Sequence, residues 1–153
     1  MANFNFNTFL WMLVSLFSVF SCNSDEYNSP IPDVHVNFQI DLNDPRYLDL
    51  NPFGGHIYVA NYGNRGLVIY HNFNDTYSCF DRTCSYESNS PCAKVEIDEN
   101  NFFLQCGQTK NKEFEPCCGS KFSWEGFPLD GPAIYPLKEY LVYHNANLLT
   151  ITN

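Results

Sequence analysis

Basic residues are scarce in this sequence. Its 153 residues include 8 Lys and Arg against 17 Asp and Glu, which gives a formal net charge of −9 at pH 7. Residues 1–21 contain no ionisable side chain, so this charge lies wholly in the rest of the chain. An acidic surface without a basic stripe repels phosphate backbones. We therefore expect no nucleic-acid partner.

The N-terminal apolar run is too short to cross a membrane. Phe9–Phe20 falls short of the roughly 20 residues that a spanning helix needs, and it is typical of the apolar region of a signal peptide. Ser21 before Cys22 suits a lipoprotein cleavage site, although no Lys or Arg precedes the run. We predict a signal peptide at residues 1–21 and a lipid on Cys22, with ordinary secretion as the alternative. The lipid would anchor the protein to a membrane of the cell envelope, facing the periplasm or the cell surface.

Residues 22–33 lack the apolar content of a folded segment. The stretch NSDEYNSPIPD is polar and acidic, and Pro30 and Pro32 interrupt it. We predict that residues 22–33 form a lipidated acidic tether and that residues 34–153 form one domain.

Helical periodicity is almost absent after residue 33. Only DPRYLDL, residues 44–50, suggests a single helical turn, whereas VHVNFQID alternates strictly as Val34, Val36, Phe38 and Ile40 on one face. Short apolar runs separated by clusters of Gly, Asn, Asp and Pro follow. They lie at residues 56–61, 66–72, 76–81, 94–97, 102–106, 121–124, 139–144 and 148–152. The pattern predicts an all-β fold of stacked antiparallel sheets or a small barrel.

Recognisable catalytic motifs are missing too. The sequence has no Ser-His-Asp spacing, no P-loop and no G-x-G-x-x-G. Its acids are scattered over turns and strand edges, where solvation is commoner than pairing for acid–base catalysis. The abundant aromatic residues are expected in the core, with a carbohydrate-binding platform as the alternative. We expect no enzymatic activity beyond a role in electron transfer.

Cysteine is the residue type that the sequence does supply. There are seven, and lipid on Cys22 would leave six, an even number in an oxidising compartment. Disulfides are therefore the first expectation. Cys79 lies inside a predicted strand and is expected to be a small buried residue.

Two cysteine-bearing segments carry a resemblance to a known family. The first reads Phe80-Asp81-Arg82-x-Cys84, and the second reads Pro116-Cys117-Cys118-Gly119-Ser120-x-Phe122. Gly126, Gly131-Pro132-Ala133 and Pro136-Leu137-Lys138-x-Tyr140 follow. Together they resemble the Rieske iron–sulfur domain over about residues 34–153. The resemblance implies a domain in which two loops form a cluster-type subdomain, beside a proline loop at Gly131, Pro132 and Ala133.

Carried over position by position, the family's cluster ligands match only in part. The first cysteine ligand corresponds to Cys84. The second falls on Glu115 by spacing, or on Cys106 if residues 107–115 are an insertion, and we prefer Cys106 because that ligand directly follows a strand in the family. The two histidine positions hold Tyr86 and Cys118. A Rieske cluster depends on two imidazoles on one iron, so the resemblance predicts the fold but not the usual cofactor. The family's loop disulfide corresponds to Cys92 and Cys117.

Three expectations for the cofactor follow. The first is no metal, with a Cys92–Cys117 disulfide and a second bridge from Cys84 to Cys118 or Cys106. The second is a 2Fe–2S cluster on Cys84, Cys106, Cys118 and one of Cys92 or Cys117. Zinc comes third, since the spacings lack a C-x2-4-C knuckle.

The resemblance thus leaves two hypotheses for function. The first is an exported, lipid-anchored Rieske-like module, held by disulfides, that binds an accessory partner in the cell envelope. The alternative is a one-electron carrier that presents a 2Fe–2S cluster to a redox partner. Fold alone does not decide between them.

Overall fold

The computed structural model describes residues 29–98, 100 and 103–153. The expected signal peptide at residues 1–21, the lipidation residue Cys22 and most of the tether lie outside the described residues. Within those ranges, no helix is long and apolar enough to pass through a membrane.

The described chain is all-β, as the sequence predicts. It has ten strands and one short 3-10 helix, which lies at Pro45–Leu50, where a single helical turn was expected. The strands are β1 Asn37–Asp41, β2 His56–Val59, β3 Leu67–His71, β4 Tyr77–Asp81, β5 Val95–Asp98, β6 Phe103–Lys110, β7 Glu113–Phe122, β8 Pro128–Asp130, β9 Glu139–Asn145 and β10 Leu148–Thr152.

Two antiparallel sheets make up the fold. The larger has six strands in the order β1-β10-β9-β4-β3-β2, and β4 pairs with β9 over only two residue pairs. The smaller has the order β5-β6-β7-β8. Since β4 leads through a loop to β5, this connection carries the chain from one sheet to the other.

The alternation in the first strand has the predicted orientation. Val36 and Ile40 are fully buried, whereas Asn37, Gln39 and Asp41 are exposed. The strand itself begins at Asn37 rather than residue 34, because its partner β10 ends at Thr152, which pairs with Asn37.

The hairpin of β6 and β7 is longer than the sequence predicts. The sequence predicts only short strands at residues 102–106 and 121–124, whereas β6 continues to Lys110 and β7 begins at Glu113. Lys110 pairs with Glu113, and the two residues between them, Asn111 and Lys112, have φ of 51° and 70°. Positive φ at both central positions is the geometry of a two-residue type I′ hairpin turn.

Two hydrophobic cores share the central strands. The inner core lies within the curled six-stranded sheet and includes Leu67 and Ile69. The intersheet core lies between the two sheets and includes Val68 and Tyr70. Because all five residues of β3 are buried, this strand contributes one face to each core.

The last residues of the predicted tether pack onto the domain. Ile31 is buried, and the Ser88 hydroxyl donates a 2.7 Å hydrogen bond to the carbonyl of Pro30. Lys138 forms an ion pair with Asp33. The folded part of the chain therefore begins before residue 34.

Candidate functional site: a thiol cluster beside a cross-linked loop

Three cysteines from different elements meet in the intersheet core. Cys84 comes from the loop after β4, Cys106 from β6 and Cys118 from β7. Their sulfur atoms all lie within 4.8 Å of one another, and the Cys84 and Cys118 sulfurs are 3.6 Å apart. The structure thus brings together three of the four residues that the sequence resemblance predicts at ligand positions.

A buried carboxylate shapes the loop that carries Cys84. Asp81 accepts hydrogen bonds from the backbone N–H groups of Asn64 and Thr83, at 2.6 and 2.9 Å. It also accepts from the hydroxyls of Thr83 and Tyr140, at 2.6 and 3.2 Å. The Cys84 N–H then bonds to the carbonyl of Ala93, which closes the loop three residues past Asp81.

A disulfide joins the two cysteine-bearing segments. Cys92, in the first loop, is bonded to Cys117, in β7. The guanidinium of Arg65 holds the same loop by donating to the carbonyls of Ser88, Ser90 and Pro91, at distances of 2.7–3.2 Å. The loop is therefore fixed to its neighbours from two sides.

The proline loop packs directly against β7, the strand that carries Cys118. The N–H of Ala133 donates a 3.1 Å hydrogen bond to the hydroxyl of Ser120. Gly131 has a φ of +85°, and a Cβ there would lie 2.6 Å from the Cα of Ser120. Ser85, next to Cys84, donates to the carbonyl of Tyr135 at 2.5 Å. The turn at Gly131, Pro132 and Ala133 therefore packs against β7 at Ser120, two residues after Cys118.

Hydrogen bonds between the thiols lower the pKa of one of them and raise the pKa of another. Bonds from the Cys106 thiol, the backbone N–H of Tyr86 and the Cys118 thiol lower the pKa of Cys84 to about 7, against the opposing effect of burial. The bond to Cys84, together with burial, raises the pKa of Cys106. The hydrogen bond between the two thiols therefore favours negative charge on Cys84 over Cys106.

The other candidate residues add no sulfur to this group. Tyr86 is half-buried and packs against the intersheet core, and its backbone N–H donates to the sulfur of Cys84. Cys79 is buried in the inner core, as the sequence predicts, and burial raises the pKa of its thiol. No histidine of the described ranges belongs to the sulfur group. His71, for example, is held by Asp75 and the carbonyl of Asn51.

The thiol cluster could hold a metal, but an all-cysteine 2Fe–2S cluster does not fit. Such a cluster takes four thiolates. The disulfide uses Cys92 and Cys117, and Cys79 belongs to the other core. Three thiols are therefore all that the described residues offer here.

No family model matches the chain, and no curated protein matches it either.

Sequence reasoning did not identify some residues that build this site. Arg65 lies about one strand before the first loop, and no motif connects it to the carbonyls that it binds. Ser85 was likewise passed over, although it is adjacent to Cys84. Asp81 and Ser120 were within the quoted motifs, but only the fold shows which groups they contact.

Proposed function

We propose that this chain is an exported, lipid-anchored Rieske-like module that binds a protein partner of the cell envelope and has no enzymatic activity. The observation that carries the proposal is the Cys92–Cys117 disulfide. It fixes the first loop to β7 and leaves too few thiols for an all-cysteine cluster. A rigid loop surface binds with a smaller loss of conformational entropy than a flexible one.

Exposed apolar side chains at β8 and beside the proline loop support a binding role. Phe127 and Leu129 are 60% and 62% exposed, and Ile134 of the proline loop is 79% exposed. Ser85 ties the same loop to the Cys84 segment through the Tyr135 carbonyl. Exposed apolar groups on a rigid support are typical of protein contact surfaces.

Metal and sulfide analysis tests the first part of this proposal. Protein purified anaerobically from the membrane fraction should be colourless, without stoichiometric iron or labile sulfide. Two irons and two sulfides per chain, with red-brown colour, would contradict it.

Electron transfer through a cluster of mixed ligation is the second candidate function. The convergence of three thiols favours it, with Tyr86 as the residue at the family's first histidine position. A phenol must lose its proton to bind well, and its reference pKa is near 10. A cluster lost on Tyr86→Phe but retained on Cys79→Ala would support this candidate over the first.

The lipid anchor has its own test. Cys22→Ala should move the protein from the membrane to the soluble fraction, because the modified sulfur would be gone. Ser24→Ala alters a nearby residue and should leave the protein on the membrane. Equal membrane partitioning of Cys22→Ala and the unchanged chain would rule out the anchor.

A further inference from the structure

The spacing of the three sulfurs suits one metal ion. A thiolate lies about 2.3 Å from a bound zinc ion, so two thiolates lie about 3.8 Å apart on a tetrahedral ion and about 4.0 Å apart on a trigonal one. The Cys84 and Cys118 sulfurs are 3.6 Å apart, and Cys106 completes a group within 4.8 Å. Changes of at most about 1 Å in the sulfur–sulfur distances would seat a single ion.

We propose that Cys84, Cys106 and Cys118 bind one soft, closed-shell metal ion through three thiolates. The ion would be zinc-like or monovalent copper, which are the ions that soft sulfur ligands select. The site is separate from the exposed apolar surface proposed to bind a partner, so either can fail without the other.

Hydrogen bonds around the cluster are arranged to support thiolates. The backbone N–H of Tyr86 donates to the sulfur of Cys84. The Ser120 hydroxyl lies 3.2 Å from the sulfur of Cys118 and accepts from the Ala133 N–H. Its own hydrogen can therefore be donated to Cys118 once that sulfur has lost its proton. Such outer partners orient metal ligands and tune their basicity.

Burial leaves one direction of approach to the site. Cys84 and Cys106 are almost fully buried, whereas Cys118 is partly exposed. Apolar residues of the intersheet core, Phe122 and Leu137 among them, surround the buried side. An ion bound by three protein ligands would keep its fourth position toward solvent on the Cys118 side, the arrangement of an open zinc site.

The sulfurs are also held in place before any ion arrives. Cys106 pairs with Val95 of β5, and Cys118 lies in β7 between the residues that pair with Gly107 and Gln105. Cys84 lies in the loop fixed by Asp81, Arg65 and the Cys92–Cys117 disulfide. Fixed ligands reduce the ordering that binding would otherwise require.

Metal titration of the full chain tests the site. Cys22→Ala serves as the background, since it removes the thiol outside the described residues. The protein is kept anaerobic with the disulfide intact and titrated separately with cadmium, as a zinc probe, and with monovalent copper. We expect one ion per chain by native mass spectrometry and a thiolate-to-metal charge-transfer band.

Cysteine variants identify the ligands. Loss of an outer hydrogen-bond partner weakens metal binding by roughly 10–100-fold. Cys118→Ser and Cys84→Ser each remove a ligand, so each should weaken metal binding by more than that. Cys118 is partly exposed, so its variant keeps the test valid if Cys84→Ser fails to fold. Ser120→Ala should weaken binding by about 10–100-fold. Cys79→Ala, which removes a thiol from the other core, should leave the affinity unchanged.

Four outcomes would overturn the proposal. They are no saturable binding by either ion, two metals per chain, equal binding by Cys118→Ser, and loss of binding on Tyr86→Phe, which would make the phenol a ligand. None of these outcomes bears on whether the exposed apolar surface binds a partner.

Discussion

At the scale of single residues, the buried carboxylate of Asp81 links the six-stranded sheet to the thiol cluster. It lies at the end of β4 and accepts from Asn64, Thr83 and Tyr140, so it serves two loops and a neighbouring strand. Hydrogen bonds to an ionised group contribute about 1.5–3 kcal/mol each, and a buried donor left without a partner is costly. Asp81 should therefore be a principal determinant of the Cys84 loop.

Asp81→Asn should lower the free energy of unfolding by about 2–4 kcal/mol. The amide presents an NH2 group where the carboxylate accepts from backbone N–H groups, so at least one donor loses its partner. Urea unfolding measures the change. Asp49→Asn makes the same substitution at an exposed residue and should stay within about 0.5 kcal/mol of the unchanged protein. Equal effects of the two substitutions would contradict the role of Asp81.

At the scale of elements, the proline loop depends on close contact with β7. Gly131 and Gly119 have similar positive φ, +85° and +76°, but different surroundings. A Cβ on Gly131 would meet the backbone of Ser120, whereas a Cβ on Gly119 would have no neighbour within 4 Å. Comparing alanine substitutions at Gly119 and Gly131 therefore separates the cost of a positive φ from the cost of a clash with Ser120.

Gly119→Ala should cost about 1 kcal/mol through its φ alone. Gly131→Ala should cost about 2 kcal/mol more, because the loop must also move away from Ser120. Thermal or urea unfolding of both variants measures the difference. If the two costs are the same, the loop does not need its present contact with β7.

The disulfide is the other link between these elements. Replacing both Cys92 and Cys117 by Ala should lower the free energy of unfolding by about 3 kcal/mol, since the bond closes a loop with a sequence separation of 25. Reductant should destabilise the unchanged protein by a similar amount and leave the double variant unaffected. Mass spectrometry that finds both thiols free in the exported protein would refute the cross-link.

Sequence reasoning predicted the elements whose side chains alternate or are buried on both faces. Val36 and Ile40 gave the face of β1, and the continuous run of β3 is buried throughout. The extension of β6 and β7 was missed because its turn, Asn111-Lys112, lacks the Gly that usually marks such turns. For the site, the motifs predicted that Cys84 and Cys118 lie close together. The hydrogen bonds from Arg65 to the first loop depend on tertiary contacts that no local pattern encodes.

At the scale of the whole molecule, the two cores are joined through β3 and β4. Cys79 faces the inner core and Phe80, the next residue, faces the intersheet core. A disturbance in either core therefore reaches a strand that also supports the other. We expect the two sheets to unfold as one cooperative unit.

Two matched substitutions test this cooperativity. Leu104→Ala in the intersheet core and Leu149→Ala in the inner core remove the same atoms from fully buried sites, and each should cost about 2–5 kcal/mol. Trp124 packs against the intersheet core and is the one tryptophan after residue 21. Its fluorescence therefore reports on the intersheet core, whereas circular dichroism reports on both sheets. Both signals should shift together in both variants, and Leu141→Ala, at a site that is 58% exposed, should shift neither by much. If Leu149→Ala moved the circular dichroism transition but left the fluorescence transition in place, the sheets would be independent units.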